Sequence, residues 1–448
     1  MADECDASKI VTTFFLNTCR LPMRLTVRDL WAVERCAMFV KYPGNKEIAG
    51  LVPLTTGSVA EFYIDPMLSC VGDIDVMYHP RNRLAIPRGH RPPTQLPAEF
   101  HNYVQVFEIH SHSCPPGYVY LRFRYLLTQC PGGGKYVCFE SDARPSLVLQ
   151  RHMTGFTNHG PAARADFSFL SPYCMSVDAV GCIRCMSWPP QAADWLTRHR
   201  NYGWPDAATL DPIVNNGCDV VRVAHRQCRQ DKWMGKRQFR LSFSRAEIVL
   251  INSWMPVQQI VYHLLRYFIK TERLTDYADN SGAGTLSNYH IKTLMLWACE
   301  LKPRSWWTEK LNLARICVEL LNTLSVWLRD IRCPHYFISN CNLIDNSFNV
   351  RSAACKLMSI DETYLSTWFV NNYIGQCAQL CPRNVSRFFN DVNTSMKLQN
   401  AVSEIVRWRV NNSLHDKLFV VQLADFGILM TIYFVALPHC TIIYLLDE

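Results

Sequence analysis

In the stretch Gly72-Asp73-Ile74-Asp75-Val76-Met77-Tyr78, the residues Ile74, Val76 and Tyr78 alternate with Asp73, Asp75 and Met77. A period of two is a strand signal, and on a strand Asp73 and Asp75 leave the same face. Two carboxylates that close repel each other unless a cation sits between them. Mg²⁺ suits such a pair, because this hard ion takes carboxylate oxygens and shares its remaining positions with substrate phosphates. Gly57-Ser58, a short way upstream, supplies the complement: the glycine lets backbone approach a phosphate, and the serine adds a hydroxyl and an N–H. Taken alone, an Asp-x-Asp also reads as a solvated strand edge or a turn.

A second strand is expected at Ser176-Val177-Asp178-Ala179-Val180. Asp178 sits there among apolar residues, and a buried carboxylate needs a cation or hydrogen-bond donors. It is the candidate third metal ligand. A capping or turn role just before Gly181 is the competing reading.

The 448 residues are 49% apolar, enough for a sizeable core and two or three packed units. A net charge of +8 permits an anionic partner without requiring one. The chain has 20 Cys but begins Met-Ala-Asp-Glu-Cys, with no signal-peptide pattern, so reduced thiols and a cytoplasmic location are expected. Cys182-x-x-Cys185 has zinc-ligand spacing, yet no second pair stands at a matching distance.

The pattern divides the chain into four. Residues 1–50 read as helical, with a stripe at Leu25, Val27, Leu30, Trp31, Val33 and Met38. Residues 51–245 carry short apolar runs separated by Pro and Gly (73–78, 103–109, 117–127, 136–139, 167–170), a mixed sheet with long connections. From Arg240 a helical period takes over, and 246–350 reads as a helical lobe with a new helix opening at 286–290 and another over 311–329. The remainder, 351–448, includes a stretch at 426–446 without Asp, Glu, Lys or Arg, long enough to span a bilayer as a tail anchor. Pro438 and His439 interrupt it and favour a buried strand pair or terminal helix. Aromatic residues between Trp188 and Trp204 could stack bases or pack a loop onto the core. Residues 222–245 are rich in basic side chains, either a solvated face or a phosphate-facing one.

With these residues in hand, the chain resembles the male-abnormal (Mab-twenty-one-like) nucleotidyltransferases, which include cyclic GMP-AMP synthase and the cGAS-like receptors. The resemblance spans roughly residues 56–343 and rests on ordered blocks: Gly57-Ser58, Asp73-Ile74-Asp75-Val76-Met77, Gly160-Pro161-Ala162, Ser176-Val177-Asp178, Trp188-Pro189, Phe239-Arg240-Leu241-Ser242-Phe243-Ser244, Leu286-Ser287-Asn288-Tyr289-His290-Ile291-Lys292-Thr293 and Cys333-Pro334-His335-Tyr336-Phe337. It implies an α+β, bilobal nucleotidyltransferase fold: a polymerase-beta-like mixed sheet core and a C-terminal helical lobe (HhH/H2TH-like). It also implies that Asp73, Asp75 and Asp178 hold two Mg²⁺ (or Mn²⁺) ions, and that Gly57 and Ser58 hold a nucleotide triphosphate. By the same resemblance Arg240, Ser242 and Ser244 touch base and phosphate, and Tyr289 stacks on the base. Asn288 stands where cyclic GMP-AMP synthase has a phosphate-binding serine, with Ser287 beside it as a substitute. Arg266 falls near the place of a phosphate-binding lysine.

The function implied is a metal-dependent nucleotidyltransferase that makes a cyclic or linear oligonucleotide second messenger from ATP and/or GTP in innate immune sensing. The alternative is a catalytically silent nucleotide-binding scaffold acting in development. No Cys lies between Cys228 and Cys299, so the zinc thumb with which cyclic GMP-AMP synthase grips DNA is missing. A double-stranded nucleic acid activator, RNA rather than DNA, is then expected on the basic run from Arg222 to Lys236, joined by Arg198 and Arg200.

Overall fold

The structure, a computed structural model, describes residues 4–18, 51–57, 74–140, 157–159, 162–165, 177–228, 237–274, 286–309, 311–344 and 350–376. Its strands are β1 (Leu51–Thr56), β2 (Ile74–Pro80), β3 (Arg83–Pro87), β4 (Tyr103–His110), β5 (Tyr118–Gln129), β6 (Tyr136–Glu140), β7 (Thr157–His159), β8 (Ala162–Ala165), β9 (Val177–Cys185), β10 (Cys218–Val221) and β11 (Gln238–Ser242). Its α-helices are α1 (Glu4–Thr18), α2 (Ala193–Thr197), α3 (Ala207–Asn216), α4 (Ser244–Asn252), α5 (Pro256–Thr271), α6 (Asn288–Leu301), α7 (Arg304–Thr308), α8 (Leu313–Arg329), α9 (Arg351–Met358) and α10 (Glu362–Phe369).

All these strands join one mixed sheet organised on β9. Its first half pairs parallel with β2 and antiparallel with β8, and its second half pairs antiparallel with β10. A strand whose sheet is covered on both faces buries apolar side chains on both. Ala179, Cys182, Ile183 and Cys185 are buried accordingly. The order continues β10–β11–β5–β4–β3, and β3 returns to pair with β9 at Leu84 and Ala85. The turn from α3 into β10 requires glycine: Gly217 has φ +59°, and a Cβ there would meet the Cys185 carbonyl oxygen at 2.4 Å.

The helices follow the sheet. In α5 every residue from Val257 to Ile269 is buried, so this helix is the axis of the helical region. Pro256 starts it, where the missing N–H costs nothing. In α8, Leu313, Ile316, Cys317, Leu320, Leu321, Leu324 and Leu328 recur every three or four residues and are buried, while Asn322 and Thr323 are exposed. The N-terminal helix closes this region. Ser8 Oγ donates to Asn312 Oδ1 at 2.7 Å, Thr12 Oγ1 accepts from Leu313 N–H at 3.1 Å, and the Phe15 ring meets Tyr373 edge-on at 4.7 Å.

The α+β class and the sheet-then-helix order are as the pattern implied. The runs at 73–78, 103–109, 117–127 and 136–139 match β2, β4, β5 and β6 over their described residues. The run at 167–170, the helical stripe at 25–38 and the apolar segment at 426–446 lie outside the described residues. Among those described, no helix is long and apolar enough to cross a membrane. The helical reading from Arg240 needs correcting: β11 runs to Ser242, with Phe239 and Leu241 buried around an exposed Arg240, and helix begins only at Ser244.

Cys182 and Cys185 do not form a zinc half-site. Three residues apart on a strand, they point to opposite faces. Cys182 packs with Met77 and Val221, whereas Cys185 joins the main core. Trp188 and Trp195 pack inward, whereas Tyr202 is exposed. Trp188 lies 5.2 Å from Trp195, Trp195 lies 5.1 Å from Phe337, and Phe337 stacks on Phe243 at 4.5 Å.

Candidate functional site

The carboxylate pair is built by strand register. In the parallel pair β2–β9, Asp75 stands opposite Asp178, and on the other side of β2 it stands opposite Thr56. Residues level with each other on paired strands share a face, so Asp75 and Asp178 leave the sheet together. Both residues are half-buried. Asp178 is a strand residue, not a turn cap. Thr56 Oγ1 donates to the Asp75 carbonyl oxygen at 3.3 Å, fixing the end of β1 at this level.

Gly57 comes next, and its lack of a side chain is a requirement here. Its φ is +65°, and a Cβ would land 1.9 Å from Asp75 Oδ2. Only glycine brings backbone so close to that carboxylate. Ser58 and Asp73 lie outside the described residues. No group of three His, Cys, Asp or Glu gathers among those described. The residues present nevertheless fit a hard divalent ion: two carboxylates on one face, with bare backbone against one of them.

A second group lies along β11, α4 and α6. Ser242 Oγ is 3.9 Å from Met77 Sδ, and Met77 shares the face of Asp75, two residues back on β2. Ser242 and Ser244 share a hydroxyl–hydroxyl hydrogen bond of 3.2 Å. One turn into α4, the buried Glu247 accepts from Lys292 Nζ at 2.8 Å. The Tyr289 hydroxyl lies 3.3 Å from His335 Nε2, and the Glu247 charge acts on it. Burial, then the Glu247 charge, push the Tyr289 hydroxyl well above its ordinary pKa. Burial lowers His335 to about 4, against a partial counter-pull from Glu247. Arg240 is exposed, and its charge is felt at both Tyr289 and His335. The segment from β11 into α4 therefore links the carboxylate face to the surroundings of Tyr289.

At the start of α6, Ser287 and Asn288 behave differently. Ser287 is the N-cap, and both its N–H and its hydroxyl lie 2.9 Å from His290 Nδ1, so that hydroxyl is engaged within its own turn. Asn288 Oδ1 is buried without a hydrogen-bond partner among the described residues.

Three arginines are engaged largely in the interior. Arg198 pairs with Glu300 at 3.1 Å and lies 4.4 Å from the centre of the Trp297 ring. Arg200 reaches the same carboxylate at 3.7 Å and donates to the Trp195 carbonyl oxygen at 2.7 Å. The Glu300 side chain is 2% exposed, so this is an interior ion cluster and not part of a sensing face. Arg266 is buried in α5, 5.5 Å from the Tyr262 ring centre. Of the basic run, Arg222 is half-buried, Arg226 opens a short 3₁₀ turn, and residues 229–236 lie outside the described residues.

Sequence reasoning gave Glu247, Lys292 and His335 no role. Lys292 was within reach, since it lies one helical turn after Tyr289. His335 was not, because a loop brings it to Tyr289.

Residues 138–253 match the Mab-21 protein nucleotidyltransferase domain, and residues 257–358 match the Mab-21 protein HhH/H2TH-like domain. The chain belongs to the Mab-21 family. Transmembrane protein 102 of Mus musculus is 28% identical over 166 residues, covering 35% of this chain and 30% of that protein. Protein mab-21-like of Aedes aegypti is 28% identical over 165 residues, covering 35% of this chain and 40% of that protein. The chain thus matches less than half the length of either relative. Within the Mab-21 framework, Asp178, Arg240, Ser242 and Ser244 fall in the nucleotidyltransferase match, and Ser287, Asn288 and Tyr289 fall in the HhH/H2TH-like match. Gly57 and Asp75 precede both matches and join Asp178 through the β2–β9 register.

Proposed function

We propose that this chain is a metal-dependent nucleotidyltransferase that joins ATP, GTP or both into a cyclic or linear oligonucleotide second messenger, in the manner of the cGAS-like receptors. The observation that carries this reading is the pairing of Asp75 with Asp178 on one sheet face, with Gly57 packed against the Asp75 carboxylate. These carboxylates, with Asp73, would hold Mg²⁺ or Mn²⁺. Bound there, the metal would supply charge neutralisation and polarisation for displacement at an α-phosphate. The protein's own part is binding and orientation. Gly57 and Ser58 admit a triphosphate to bare backbone and a hydroxyl. Arg240 brings positive charge beside Tyr289, and the Tyr289 ring offers a surface for a base.

The test is direct. Purified protein is incubated with labelled ATP and GTP, Mg²⁺ or Mn²⁺, and a panel of nucleic acids. A product that disappears in Asp178→Asn supports the enzyme. Nucleotide binding without product under every condition overturns it in favour of a non-catalytic nucleotide-binding scaffold. The feature that favours this second reading is Asn288, whose Oδ1 is buried without a partner among the described residues at the position of an expected phosphate-binding serine. As a sensor the protein would act in the cytoplasm and answer to a double-stranded nucleic acid, RNA rather than DNA. Its basic run from Arg222 onward would meet phosphates there. Arg198 and Arg200 no longer belong to that face, because Glu300 holds both.

A further inference from the structure

His335 sits in the loop after α8, and its two ring nitrogens are assigned by their neighbours. Nδ1 lies 3.0 Å from the Phe337 N–H and 3.2 Å from the Ile338 N–H, so it accepts two backbone hydrogen bonds and carries no proton. The ring is buried and, with a pKa near 4, neutral at physiological pH. Its single proton is therefore on Nε2, which faces the Tyr289 hydroxyl at 3.3 Å. The Tyr289 oxygen accepts there, and the charge of the Glu247 carboxylate, which Lys292 holds at 2.8 Å, acts on the same hydroxyl. Donation at this contact therefore runs from His335 to Tyr289.

The loop that presents His335 is itself pinned. His335 N–H donates to the Cys341 carbonyl oxygen at 2.8 Å, Leu343 N–H donates to Cys333 at 2.8 Å, and Trp297 Nε1–H donates to the Pro334 carbonyl oxygen at 2.9 Å. A half-buried tyrosine in the first turn of a helix can swing its ring about two side-chain torsions, and a fixed donor at the hydroxyl removes that freedom.

We propose that His335 is a positioning residue for Tyr289, its Nε2–H holding the Tyr289 hydroxyl so that the ring is pre-set as a surface for a nucleotide base. This rests on the nucleotidyltransferase reading given above. It extends that reading to a loop residue that would touch neither base nor phosphate.

The test uses the full chain and direct titration with ATP and with GTP in Mg²⁺. His335→Asn keeps an acceptor for the two backbone N–H groups but cannot reach the hydroxyl. His335→Gln puts an N–H where Nε2 was. Losing the hydroxyl contact is expected to weaken nucleotide binding roughly 3- to 10-fold in His335→Asn, with most of the loss recovered in His335→Gln. Tyr289→Phe alone should lose a similar amount, and His335→Asn on a Tyr289→Phe background should lose nothing more, since the two act through one contact. Equal losses from His335→Asn in both backgrounds overturn the proposal, because a merely structural histidine costs the same whatever stands at residue 289. Unchanged affinity in Tyr289→Phe also overturns it, without requiring any His335 variant to fold. A wild-type chain that binds neither nucleotide removes the functional reading and this inference together, whereas binding with additive losses removes this inference alone.

Discussion

Asp75 and Asp178 stand level on two hydrogen-bonded parallel strands, so two carboxylates far apart in the chain leave the sheet on the same face. Parallel pairing makes this exacting. A slip of one residue would turn one of the two carboxylates to the opposite face.

Replacing either carboxylate tests the chemistry apart from the fold. Asp178→Asn and Asp75→Asn conserve shape and remove charge, and each should cut oligonucleotide synthesis by at least roughly 100-fold, in the range for losing one preorganised electrostatic group. Melting temperatures should stay close to wild type. Synthesis that survives both substitutions would place the catalytic metal elsewhere or remove it from the reaction.

Gly57→Ala should damage both stability and activity. Its Cβ would fall 1.9 Å from Asp75 Oδ2 at a φ of +65°. Backbone strain of this kind costs about 1–3 kcal/mol, and relief would require the Asp75 carboxylate to move. A lower melting temperature together with lost synthesis is expected. A fully active, fully stable alanine variant would show that the close approach is not maintained in solution.

Tyr289 separates ring from hydroxyl. Base–aromatic stacking is worth about 1–3 kcal/mol by alanine substitution, so Tyr289→Ala should weaken nucleotide binding well beyond Tyr289→Phe. Titrations of both variants decide this, and equal losses would mean that the ring is not a stacking surface.

Two buried histidines make stability fall with acid. Burial lowers His335 to about 4 and His263 to about 3, from an ordinary 6.5. The unfolded chain therefore takes up these protons first. The stability from each neutral ring is intact above pH 6.5 and is lost as pH falls from there toward the folded pKa. For His335 the full window is worth roughly 3 kcal/mol. Urea melts at pH 7 and pH 5 should show this slope, and His335→Asn should flatten it. Equal slopes in the two proteins would mean that residue 335 takes up its proton in the folded chain as easily as in the unfolded one.

Activation is tested on the basic run. Reversing Arg222, Arg226 and Arg229 to Glu should abolish nucleic-acid-stimulated synthesis while leaving basal Mn²⁺-dependent synthesis intact. The salt dependence of nucleic acid binding should become shallower, because fewer phosphate contacts remain. Stimulation that survives with unchanged salt dependence would move the sensing surface elsewhere.

Local pattern determined a good deal by itself. The alternation at 73–78 wrote β2, and the three-to-four spacing of leucines wrote α8, because strand and helix periods are properties of a few neighbouring side chains. Local pattern also marked Asp75 and Asp178 as unusual, since carboxylates inside apolar strands need a reason. Which strand meets which, and at what level, was left to tertiary structure. Register is a long-range choice between β2 and β9, and no window of sequence contains both. Gly57 could be read as permissive from sequence, but its contact with Asp75 is visible only once β1 lies beside β2. The arginines make the same point in reverse. In sequence Arg198 and Arg200 belong with a basic surface, but folding brings the distant Glu300 between them and turns that surface inward. His335 was equally silent, a loop residue whose role is set by three backbone contacts within its own loop and by one hydroxyl that the packing of α6 against that loop brings to it.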